Sequence, residues 1–225
     1  MNSLKTHSKL GEGIYSISDI AFLLKLPKQR VRRWLNDFWD IRLAEKYDQK
    51  YSWDHGRNQA TNFYTLIEFY IFYCLRDAGV SQKKIFEAHE AMAKQLKTVY
   101  PFASAKLLTD GKNILYSLND GTTVKADTSK QITLRELIEQ FYNKIDFSSS
   151  NKVAEKFYPL GKDKRIVVDP HHQFGQPVIK QTNIMAETIY DMFNAGESKI
   201  FISRFYDISI NEVNSAINLF HNKAA

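Results

Sequence analysis

The chain has 225 residues, 44% of them hydrophobic and 25% charged, with a formal net charge of +6 at neutral pH. That length serves one large domain or two to three small ones, each able to bury a core, and the basic excess suits an anionic partner. The single cysteine excludes an internal disulfide or a thiolate metal cluster, and no run approaches the roughly 20 apolar residues of a membrane span. With no signal-peptide h-region at the start, a cytoplasmic protein that stays off the membrane is expected. The charge is uneven. Residues 1–60 carry eleven Lys/Arg against seven Asp/Glu, whereas residues 183–222 carry two against five. A basic front and an acidic back imply different partners.

Residues 1–13 (MNSLKTHSKLGEG) are polar and aperiodic, which predicts a mobile tail. Ser16 or Ser18 can cap a first helix, DIAFLLK, that stops before Pro27. Pro27 opens a second helix, PKQRVRRWLNDFW, over residues 27–39. There Val31, Trp34, Leu35 and Phe38 form one apolar stripe at i, i+3, i+4, i+7. Turning that stripe inward puts Gln29, Arg33 and Asn36 at the centre of the outward face, with Arg30 and Arg32 beside them and Lys28 at the start. No acid occurs from Pro27 to Asn36. Such a face has the parts to read base edges in a major groove, since Arg pairs with guanine and Asn or Gln with adenine. Read on its own, it is equally a solvated basic face on a core helix. Two short helices joined by a few residues are the pattern of a helix-turn-helix, the second being the reader.

Residues 41–60 are polar and interleave aromatics with Lys50, His55 and Arg57. Asp54-His55-Gly56 can turn a hairpin, making a wing with Lys50 and Arg57 at its tip to grip phosphate; an ordinary exposed loop is the plainer alternative. Residues 61–79 are apolar nearly all round, which predicts a buried helix stopped by Gly79. Ser81 can cap the next helix, running to about Tyr100, in which Ile85, His89, Met92, Leu96 and Val99 line one face. The stripe covers about two heptads, so a core helix with a buried His89 is expected, a dimer seam being the alternative. After Pro101 the period changes to that of a small antiparallel meander with turns at Asp110-Gly111 and Asn119-Asp120-Gly121. Thr133-x-x-Glu136 then reads as a capping box opening a helix with Ile138, Phe141, Tyr142 and Ile145 on its apolar face. SSSN at 148–151 marks a loop or soft boundary.

From Gly161 a third unit is expected: strands IVVD and VIK, turns at Asp169-Pro170 and Gly175-Gln176-Pro177, then helices over about 184–195, 198–206 and 210–222. Ser209-x-x-Glu212 is a second capping box. In the last helix Val213, Ala216, Ile217 and Phe220 face inward, leaving Asn211, Ser215, Asn218 and Asn222 outward as an uncharged, hydrogen-bonding line. The fold expected is therefore mainly α with small β elements. Its segments are a tail (1–13), a winged helical domain (14–100), a small α+β middle (101–160) and a helical C-terminal domain with a short hairpin (161–225).

Two resemblances add to this reading. YSISDIAFLLKLPKQRVRRWLNDFW resembles the winged helix-turn-helix of MerR-type regulators through Val31-Arg32-Arg33-Trp34. The run Leu75, Arg76, Gly79, Val80, Ser81 is similar to that family's continuation into its next helices. Lys25 stands where the family has a turn glycine and Pro27 where it has a capping serine. The C-terminal segment resembles a small bacterial domain of unknown function associated with VapB-type antitoxins, through Asp169-Pro170, Gly175-Gln176-Pro177-Val178-Ile179, Thr182, Ala195-Gly196-Glu197-Ser198 and Val213…Ala216. Gln181, Asn183 and Met185 replace a glycine, an arginine and a proline there. These resemblances imply an antitoxin of a PIN-like ribonuclease toxin that also binds operator DNA to repress its own operon, acting as a homodimer. Asn211, Ser215, Asn218 and Asn222 are then the candidate toxin contacts, because an uncharged face docks on protein at low desolvation cost. The alternative is a stand-alone MerR-like regulator whose C-terminal domain dimerises or senses a ligand.

No catalytic constellation is evident. His171-His172 beside Asp169 lack a third ligand at a recognised spacing, so no metal site is expected. Gly11 and Gly13 follow no strand and make no phosphate loop. A non-enzymatic protein without a cofactor is expected.

Overall fold

Ser16 starts the order in this chain. Its side chain accepts from the Asp19 N–H while the Asp19 carboxylate accepts from the Ser16 N–H, a reciprocal cap that opens α1 (Ile17–Leu24). The computed structural model describes residues 12–55, 58–104, 140–141 and 143–221. Residues 1–11, the Gly56-Arg57 tip, the expected meander and the Thr133–Glu136 box lie outside them. The protein is mainly α-helical with small antiparallel sheets, and it divides into two compact units: residues 1–63 joined by 156–225, and residues 64–155.

In the first unit α1 ends at Lys25, which adopts a left-handed conformation with φ 54°. Leu26 and Pro27 complete the turn into α2 (Lys28–Trp34). The helix does not stop at Trp39 as the pattern predicted. It continues through a π-helical stretch, Leu35–Leu43, into α3 (Ala44–Tyr47). The polar run after Trp39 concealed this extension, because Trp39 and Leu43 alone anchor its inner side. A three-stranded sheet follows, in the order β1 (Tyr15–Ser16), β3 (Asn58–Thr61), β2 (Ser52–His55), with Trp53 opposite Ala60 and Tyr15 opposite Thr61. Asp54 and His55 are thus strand residues rather than the turn. Glu12 and Gly13, grouped with the tail by composition, are tied in: the Phe63 N–H donates to the Glu12 carbonyl at 3.0 Å.

Asp40, in the π stretch, fastens the hairpin to the helix. Its carboxylate accepts from the Ser52 N–H at 3.1 Å, the Ser52 hydroxyl at 2.6 Å and the Gln59 amide at 3.0 Å. Burial pushes the Asp40 carboxyl above its ordinary value, against the opposing pull of the Ser52 hydrogen bonds.

The C-terminal part of the same unit pairs β6 (Ile166–Val167) antiparallel with β7 (Val178–Ile179) and packs α6 (Ala186–Asn194), α7 (Lys199–Tyr206) and α8 (Ile210–His221) over them. Ser209 and Glu212 form the expected capping box. Burial raises the Glu212 carboxyl, but hydrogen bonds from Ser209 and the Arg165 guanidinium at 2.7 Å outweigh it and hold the group below its ordinary value. Ile166, Ile179, Ile189, Ile202, Val213 and Ile217 form the core. Phe22 of α1 reaches into it, its ring 4.8 Å from that of Phe220. Tyr15 makes the second joint. Its buried ring lies against Gly175, whose φ is 82° and where any Cβ would collide with the tyrosine hydroxyl.

The second unit contains α4 (Phe63–Asp77) from Tyr64 on, with Leu66, Ile67, Phe69, Ile71, Phe72 and Leu75 all buried, and α5 (Gln82–Leu96) capped by Ser81. α5 ends at Lys97, earlier than its pattern suggested, and Val99 lies beyond the helix. His89 is a core residue with no exposure: its Nε2 sits 2.8 Å from the Glu68 carboxylate, which also accepts from the Phe102 N–H at 2.8 Å. Burial pushes the Cys74 thiol up to about 12, so it packs as a small apolar group. Strand β4 (Ile145–Phe147) begins at Ile145, expected to end a helix, and pairs with β5 (Ala154–Phe157) around the SSSN loop.

Two outcomes follow from these anchors. Asp40→Ala should lower unfolding free energy by about 1–3 kcal/mol. A raised pKa in the fold means that wild type gains stability relative to Asp40→Asn as pH falls from about 7 to about 3, read by denaturant melts; a gain on the alkaline side would contradict it. Glu68→Leu should cost about 3–5 kcal/mol, since it strands His89 and the Phe102 N–H together; chemical denaturation checks this.

Candidate nucleic-acid interface

Helix α2 has its rotation set from behind. Val31 and Leu35 are fully buried and Trp34 nearly so, each worth about 1.5–3 kcal/mol. The opposite side therefore faces solvent: Lys28, Gln29, Arg30, Arg32 and Arg33 are all exposed, and none of their side chains makes a hydrogen bond or ion pair among the described residues. Asn36 is half-buried, at the edge of the face rather than its centre. Four cations in seven residues, unscreened by any acid, leave a concentrated positive field on one short helix.

Lys50 is exposed but stands before β2, at the base of the hairpin; the expected tip position is corrected by the strand bounds. Arg57 lies outside the described residues. What fixes the hairpin beside α2 is the Asp40 bond set, a contact that motif reading missed because the expected helix ended at Trp39 and left Asp40 outside it.

On the C-terminal helices, Asn211 and Asn218 are exposed as expected. Ser215 is not: it is 6% exposed and its hydroxyl donates back to the Asn211 carbonyl at 2.8 Å. A small hydroxyl can satisfy itself on its own helix, so it sinks where an asparagine would have to stay out. Asn222 lies outside the described residues. Glu187, Asp191, Glu197 and Asp207 are exposed, so this part presents acid to solvent. His171 is exposed, while His172 places Nε2 3.1 Å from the Thr182 carbonyl. Helix α7 carries what composition did not flag: Ile200, Phe201 and Phe205 are 59%, 45% and 64% exposed. The signal was available in KIFISRFY, which has more apolar side chains than one inward stripe can hide. No helix among the described residues is long and apolar enough to cross a membrane.

Comparison with known proteins bears on the C-terminal part and then on the whole chain. Residues 166–218, the segment from β6 into α8, match a family described as "Protein of unknown function (DUF433)". Over 174 residues, 72% of this chain and 72% of the other, the sequence is 22% identical to a Mycobacterium tuberculosis protein named "Putative antitoxin VapB45". The crystal structure of Rv2018 from Mycobacterium tuberculosis superposes with a TM-score of 0.72 at 21% identity, covering 90% of this chain and 96% of that one, so the two share a fold.

Proposed function

We propose that this protein is an antitoxin-like, DNA-binding regulator that represses its own operon and neutralises a PIN-like ribonuclease toxin by direct contact, without catalysis or cofactor. The observation that carries the DNA half is the unpartnered Lys28, Gln29, Arg30, Arg32 and Arg33 face of α2. Read as the second helix of a winged helix-turn-helix, α2 enters a major groove, Arg33 and Gln29 meet base edges, and Asn36 follows at the rim. Lys50 holds phosphate, with Arg57 as the second candidate contact.

The toxin half rests on likeness to the mycobacterial protein named as an antitoxin and on charge. Exposed Glu187, Asp191, Glu197 and Asp207 suit a ribonuclease, whose RNA-binding surface is basic, and such complementarity speeds encounter. Asn211 and Asn218 supply hydrogen bonds at the contact, with Asn222 as a further candidate, while Ser215 supports that face from beneath.

Gel-shift titration on the duplex upstream of its own gene tests the first half. Arg33→Ala should lose about 1–3 kcal/mol of discrimination against scrambled duplex. Lys50→Ala should weaken every duplex alike and reduce the salt slope by about one counterion. Equal loss on specific and scrambled DNA for Arg33→Ala would reduce Arg33 to a phosphate contact. For the second half, co-expression with the product of the adjacent reading frame should restore growth, and Asn211→Arg with Asn218→Arg should abolish rescue while leaving the gel shift intact. A gel shift without any rescue would instead mark a stand-alone regulator.

A further inference from the structure

Helix α7 keeps an apolar ridge on its solvent side. Ile202 anchors the helix with no exposure, and the opposite side offers Ile200, Phe201, Arg204 and Phe205 to solvent. The Phe201 and Phe205 rings stack 5.8 Å apart, and the Arg204 side chain makes no hydrogen bond or ion pair among the described residues. Apolar ridges of this kind on a soluble protein mark contacts, and aromatic residues with arginine are what interface centres favour.

We propose that α7 packs antiparallel against α7 of a second copy of this chain, about a two-fold axis between Ile202 and Ser203. A two-fold contact is isologous, so if one residue meets another, the reverse also holds. In this register Ile200 lies against the partner's Phe205, and Phe201 against the partner's Arg204. The guanidinium then covers an aromatic face, a cation–π contact, instead of meeting its own copy. Asp207, the left-handed cap that ends α7, arrives beside the partner's Ser198. That residue caps the positive end of the opposite helix, where a carboxylate is favoured. All four exposed side chains of the ridge and its terminal acid are accommodated in one register.

A second copy fits this ridge better than a basic ribonuclease does. The only charge on the ridge is Arg204, of the same sign as such a partner, and the acids lie off it on α6 and at the ends of α7. The contact needs neither DNA nor toxin.

Sedimentation equilibrium of the full chain without nucleic acid should therefore give a dimer. Phe201→Asp and Phe205→Asp should each raise its Kd about thirtyfold or more. Because both positions are exposed, their thermal melts followed by circular dichroism should match wild type. In a Cys74→Ser background, mixing chains carrying Phe201→Cys with chains carrying Arg204→Cys should give inter-chain disulfides faster than either chain alone. A monomeric wild type, a dimer untouched by both aspartate variants, or aspartate variants that stay dimeric but fail to restore growth against the toxin would each overturn the proposal.

Discussion

The rotation of α2 about its own axis is the constraint on which the surface chemistry depends. Val31, Trp34 and Leu35 can be buried together in one orientation only, and that orientation expels every base in the helix. Bringing Lys28, Arg30, Arg32 and Arg33 close together costs repulsion that an isolated peptide would relieve by unwinding. Here the apolar back holds the helix regardless. The π-helical stretch extends that back to Trp39 and Leu43 and, in passing, turns Asp40 toward the hairpin. One helix thus positions both the basic face and the strand pair beside it.

The front and the C-terminal helices share a core rather than a linker. Phe22 lies on Phe220, and Tyr15 lies against Gly175. The Tyr15 hydroxyl is buried without a hydrogen-bond partner, and burial together with the nearby Asp169 carboxylate keeps its proton firmly on. An unsatisfied hydroxyl destabilises the joint by about 1–3 kcal/mol, so the ring packing around it has to be good. The glycine in Gly175-Gln176-Pro177 is explained by that packing: no other residue leaves room for the ring.

Much of the local structure was legible. Ser81 and Ser209 cap helices where hydroxyl-led periodic runs said they would, Ser16 is the cap of the two serines offered for α1, and the stripe through Val31 and Trp34 is the buried side of α2. Lys25 and Gln181 both adopt positive φ, 54° and 68°, at a cost of about 1–2 kcal/mol each. What was not legible is non-local. Two residues, Tyr15 and Ser16, make a strand only because Ala60 and Thr61 are there to pair with. The burial of Ser215 depends on its hydroxyl turning back to the Asn211 carbonyl, and the exposure of Phe201 and Phe205 depends on where neighbouring helices end. Periodicity reports how an element is patterned, not what is left over after its neighbours are placed.

The discontinuity of the first unit has a temporal side. Its front half is made early, yet the ring that covers Phe22 belongs to α8, near the other end of the chain. Until the ribosome has passed residue 175 Tyr15 has no Gly175 to lie against, and until it has passed Phe220 α1 keeps an open apolar edge. A nascent chain cannot complete this unit segment by segment, as chains with contiguous domains do. The same geometry acts late in the protein's life. A protease that removes α8 uncovers the flank of α1, so damage at one terminus is transmitted to the other as lost local stability.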